Sequence, residues 1–119
     1  MAILLEEPKA EACADALAKP SVVLISAGTL TEAHVVAARR GFLADMVDLI
    51  AELRLQVVPI DAATATAAGL AYAHYGKGLH AASLNFGDTF AYVLAKQRAC
   101  PLLFIGNDFS LTDVTPALP

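Results

Sequence analysis

Four carboxylates in this 119-residue sequence stand where acids could act together: Glu32, Asp88, Asp108 and Asp113. Glu32 lies in the first turns of a helical pattern that follows "SVVLIS". Asp88 opens "DTFAYVLAK", and Asp108 closely follows "PLLFI", with Asp113 five residues further on. Carboxylates brought into one place repel one another and are expensive to remove from water. A divalent cation relieves both penalties. Mg²⁺ and Mn²⁺ favour hard oxygen ligands, and two such ions can clamp the attacking and leaving oxygens of a phosphodiester. The chemistry within reach is metal-assisted phosphoryl transfer to water.

Each acid also has a plainer reading. Asp88 at a helix head complements the macrodipole by about 0.3–1 kcal/mol, and for that residue alone a cap comes first. Glu32 alone reads as a solvated helix residue. Asp108 in "GND" is ordinary turn chemistry, and Asp113 after Thr112 suits a local Asx or capping motif. His34, His74 and His80 share no ligand spacing and read as surface or core polar residues. Cys13 and Cys100 fit no metal or redox spacing and are expected to pack as small apolar groups.

The elements that must place these acids alternate along the chain. "PKAEACADALAK" has helical character and ends at Pro20, and "SVVLIS" is a short β-branched strand. "GTLTEAHVVAARRG" is helical with Gly41 as its stop signal. "FLADMVDLIAELR" puts Leu43, Met46, Val47, Ile50 and Leu53 on one helix face, and "QVVPI" is a second strand. Asp61 is an N-cap for "AATATAAGLAYAHYG", a charge-free run expected to be a buried helix. "KGLHAASLNFG" is a loop, the Asp88 helix follows it, and "PLLFI" is a third strand. The alternation predicts an α/β sandwich around a mostly parallel sheet, in one domain spanning residues 1–119. Ligands in such folds lie beyond the carboxyl ends of the strands, where Glu32, Asp88 and Asp108 fall. Three strands make a thin sheet for that architecture.

Composition narrows the function classes. The chain is 57% hydrophobic with a mean hydropathy of +0.58, ample apolar surface to offset chain entropy. No uninterrupted apolar run reaches membrane-spanning length, and "MAILLEEPKA" has no basic stretch of the kind that opens a signal peptide. A cytoplasmic protein is expected. The net charge of −4 and pI near 5.1 argue against nucleic-acid binding through a broad basic surface. They do not exclude a nuclease whose bound metal supplies the positive charge.

The segments "TLTEAHVVAARRG", "YGKGLHAASLNFGDTFAYVLAK" and "PLLFIGNDFSLTDV", in this order and at these separations, resemble the PIN-domain ribonucleases, most closely the VapC toxins of bacterial type II toxin–antitoxin systems. The likeness runs from about "AILLEEP" to the C-terminus. It implies a three-layer PIN-like α/β fold and an endoribonuclease using Mg²⁺ or Mn²⁺. The family's second, third and fourth acids fall on Glu32, Asp88 and Asp108, with Asp113 as a nearby auxiliary ligand. It further implies an RNA substrate, a cognate antitoxin and a homodimer.

The resemblance also exposes a departure. Relatives of this kind begin with a hydrophobic strand ending in an Asp-Thr-Ser turn, and the sequence from Met1 carries neither the strand nor its aspartate. A start assigned too late, a shortened chain and a nuclease-dead remnant would each give this pattern, and the retained acids and core pattern favour the first. A chain without that aspartate is expected to cleave poorly. The alternative function is therefore an inactive PIN-like binding module that still pairs with an antitoxin or subunit. An unrelated small-molecule binder is disfavoured, because no glycine-rich phosphate loop follows any strand. Lys77, between Tyr75 and Gly78, is a candidate RNA phosphate contact. Arg39 and Arg40, seven and eight positions beyond Glu32, share roughly its helix face and either guide phosphates or offset a helix C-terminus. Tyr75 is expected to be buried rather than to stack on a base.

Overall fold

A computed structural model describes residues 10–18, 22–104 and 109–117. Its element order begins with helix α1 (Ala10–Ala18), followed by strand β1 (Leu24–Ser26). Ser26 does two jobs. It closes the strand and caps α2 (Ala27–Arg40), its side chain accepting the Gly28 N–H at 3.3 Å. Gly41 ends α2 in the left-handed conformation, φ 83°, and its N–H returns to the carbonyls of Ala37 and Ala38. That conformation favours glycine, so the stop signal works as the sequence predicts.

Helix α3 (Leu43–Leu53) follows at once and leads to β2 (Gln56–Val58). The two strands pair in parallel, Leu24 opposite Gln56 and Ser26 opposite Val58. A parallel pair needs a long crossover, which α2 and α3 supply. Asp61 accepts the Thr64 N–H at 2.8 Å and caps α4 (Ala62–Tyr75). This bond, more than any other contact, holds the Asp61 carboxyl below its ordinary pKa. Helix α5 (Asp88–Arg98) packs against α4, α2 and β1. One cluster of the core lies where α4 meets α5. Ala68, Ala71 and Val93 are buried there, with Ala67, Phe90 and Tyr92 around them.

Four sequence expectations change. "AATATAAGLAYAHYG" is helical but not a buried helix. It touches α5 through alanines, while Leu70 is 67% exposed and Tyr72 also faces solvent. Small residues on one side allow close approach without requiring the other side to be covered. In "PLLFI" the described residues reach Phe104, and only Leu102 pairs. Its N–H meets the Thr115 carbonyl at 2.8 Å, and its carbonyl takes the Ala117 N–H at 2.9 Å. Among the described residues the sheet is thus β1 and β2 alone, and this segment binds the C-terminal stretch instead. Cys100 is exposed rather than packed, just past Ala99, whose left-handed conformation (φ 50°) caps the end of α5. The side chain of Cys13 lies outside the described residues. The expected apolar face of α3 is only partly covered: Met46 is buried, while Leu43 and Val47 are exposed. Among the described residues no helix is long and apolar enough to cross a membrane.

Candidate active site

Two glycines bring the heads of α2 and α5 together. Gly28, in the first turn of α2, lies under the Phe90 ring of α5, and a Cβ built there would stand 2.6 Å from two ring carbons. Gly87, just before α5, lies under the Glu32 carboxylate of α2. A Cβ there would overlap Oε2 and sit 2.5 Å from the carboxyl carbon and 2.9 Å from Oε1. Each helix head therefore receives a side chain from the other. The consequence is that Glu32, in the second turn of α2, reaches the position next to Asp88.

The head of α5 is wound by a reciprocal pair of bonds. The Asp88 N–H donates to Asn85 Oδ1 at 2.9 Å, and the Asn85 N–H donates to Asp88 Oδ2 at 3.0 Å. This is the logic of a capping box, with Asn and Asp three residues apart in place of Ser/Thr and Glu. Thr89 strengthens the turn by donating its hydroxyl to the Phe86 carbonyl at 2.7 Å. Gly87 itself has helical backbone angles, φ −65° and ψ −35°, so its backbone makes no demand for glycine. Asp88 thus caps its helix and presents a half-buried carboxylate beside Glu32.

Burial, and then the charge on Asp88, raise the pKa of Glu32 above the ordinary glutamate value. A half-buried carboxylate facing a second carboxylate is the donor chemistry that a hard divalent cation fits. Gly87, lacking a Cβ, leaves the space that the Glu32 carboxylate occupies. One turn before Glu32 and on the same helix face, Thr29 Oγ1 is buried with no hydrogen-bond partner among the described residues.

The remaining candidates are distributed differently. Asp113 meets α5 one and two turns beyond Asp88. Its Oδ1 accepts the Tyr92 hydroxyl at 2.6 Å, and its Oδ2 lies 2.9 Å from Lys96 Nζ. The Tyr92 hydroxyl, followed by Lys96, holds the Asp113 carboxyl below its ordinary pKa. Burial first, and then Asp113, push the Tyr92 hydroxyl upward. Asp108 lies outside the described residues, and among those described no three His, Cys, Asp or Glu side chains converge. Arg39 and Arg40 are exposed in the last turn of α2. Lys77 is exposed in a turn tied by its own N–H to the Leu84 carbonyl at 2.9 Å. Tyr75 is half-buried among rings, 4.3 Å from His74, 5.0 Å from His80 and 5.4 Å from Tyr92 between centroids. Two histidines without common spacing, His74 and His80, therefore become neighbours, 5.9 Å apart.

Sequence reasoning singled out Asp88 and Glu32 but missed Asn85, Gly87, Gly28, Tyr92 and Lys96. The Asn-x-x-Asp spacing of 85 and 88 was readable as a box. No local pattern announces that Gly87 lies against a residue 55 positions earlier.

The chain matches a known protein family over most of its length. The PIN-domain family model matches residues 1–114. "Ribonuclease VapC" of Mycolicibacterium smegmatis is 44% identical over 119 residues, 96% of this chain and 91% of its own length. "Ribonuclease VapC28" of Mycobacterium tuberculosis is 43% identical, over 99% of this chain and 92% of that one. "Ribonuclease VapC30" of the same species is 42% identical, over 100% and 94%.

Proposed function

The chain belongs to the PIN-domain family, among its VapC-type members, and from that premise we propose that it is a Mg²⁺- or Mn²⁺-dependent endoribonuclease, the toxin of a type II toxin–antitoxin pair. The observation that carries the metal is the meeting of Glu32 and Asp88 across two helix heads, with Glu32 raised in pKa by burial and by its neighbour. Glu32 and Asp88 would hold the cation, with Asp108 as a third carboxylate. Once bound, the cation would neutralise phosphate charge and supply a water acidic enough to attack near neutral pH.

The chain's own groups prepare that step. The box with Asn85 fixes the Asp88 carboxylate, and the bare Gly87 lets the Glu32 carboxylate approach it. Lys77, Arg39 and Arg40 are exposed cations suited to RNA phosphates, which a chain of net charge −4 must attract locally. A cognate antitoxin would silence the enzyme. Exposed Leu43 and Val47 on α3 suit a homodimer contact.

The test is cleavage of a structured RNA with Mn²⁺, with Mg²⁺ and with EDTA, by the native chain, Glu32→Gln and Asp88→Asn. Cleavage that needs the metal and both acids supports the reading. Cleavage that persists in EDTA or in Asp88→Asn sinks it.

A further inference from the structure

The place of Glu32 depends on an absence. A Cβ on Gly87 would lie within the Glu32 carboxylate, although Gly87 has ordinary right-handed helical angles that alanine adopts freely. A glycine at a helix start usually serves the backbone. Here the backbone asks for nothing special, and alanine would restrict the unfolded chain and so favour the folded one. The missing methyl is used by the carboxylate.

We propose that Gly87 is a positioning residue of the metal site, conserving room at the head of α5 so that the Glu32 carboxylate stands beside Asp88. This rests on the metal-dependent reading above and deepens it. The obstruction a methyl creates is met by the end of a flexible side chain rather than by backbone. Glu32 would therefore rotate away towards solvent while the helices stay in place. Rotation also relieves its repulsion by Asp88 when no metal is bound. Gly87→Ala thus keeps or raises stability without metal and loses the metal. A glycine needed for the fold would behave in the opposite way.

The experiment has two arms. In the first, thermal melts of the native chain, Gly87→Ala, Glu32→Gln and Asp88→Asn are compared with EDTA and with Mn²⁺ alone. Gly87→Ala should melt no lower than the native chain in EDTA, and its Mn²⁺ affinity should fall about 10–100-fold, the range for loss of a ligand-orienting group. A lower melting point in EDTA with an unchanged Mn²⁺ shift would overturn the proposal. If the native chain shows no Mn²⁺ shift, the metal reading fails, and the second arm still decides the role of Gly87. That arm is a metal-free crystal structure of Gly87→Ala. The Glu32 carboxylate should have left the head of α5, and finding it still against residue 87 would refute the proposal.

Discussion

Asn85 and Asp88 each accept the other's backbone N–H, at 2.9 and 3.0 Å, so the carboxylate at the head of α5 is part of the helix's own closure. Asparagine at position 88 keeps an acceptor oxygen for the Asn85 N–H and loses the charge. Asp88→Asn is therefore expected to fold with a melting point within a few degrees of the native chain, a change of about 1 kcal/mol or less. Its Mn²⁺ binding should be abolished. Calorimetric titration measures both forms, and equal affinity would remove Asp88 from the site.

Glu32 sets a pH dependence whose sign is fixed. Its pKa is raised in the folded state, so the folded chain binds the proton more tightly than the unfolded one. The resulting stability is fully present below the unfolded value, about 4.3, and is lost as pH rises through the raised folded value. In EDTA the native chain should lose stability relative to Glu32→Gln as pH climbs through that window. Urea melts at a series of pH values give the difference. A constant gap between the two proteins would mean that Glu32 is not strained by burial and Asp88.

Asp113 has both oxygens engaged by Tyr92 and Lys96. The ion pair is half-exposed and contributes little, while the tyrosine bond ties the C-terminal stretch to α5. Asp113→Asn should cost about 0.5–1 kcal/mol of stability and leave Mn²⁺ affinity within twofold of native. A loss of affinity like that of Asp88→Asn would place Asp113 among the ligands instead.

Leu43 and Val47 lie one turn apart on α3 and are 41% and 48% exposed. Val47→Glu should shift a native dimer to monomer in light scattering without changing the far-ultraviolet helical signal. A monomeric native chain at micromolar concentration would dismiss this face as the dimer contact.

Local chemistry was legible in the sequence wherever the decisive partner lies within one helical turn. Gly41 as a stop, Asp61 as a cap and Asp88 as a helix head all follow from groups no more than four residues away. Glu32 and Asp88 were also legible as acids at helix starts, since residue type and place along a helix are local facts, while Asp108 lies outside the described residues. Contacts between distant segments were not. That Glu32 lies on Gly87, that Phe90 lies on Gly28 and that Asp113 turns to Tyr92 and Lys96 depends on how α2, α5 and the C-terminal stretch pack. The alanine-rich α4 reads as interior by composition, yet packing covers only one side of it, because hydropathy does not record which face finds a neighbour. Backbone capping is settled by short-range geometry, whereas a carboxylate's neighbours, and hence its charge state, are settled only when the helices meet.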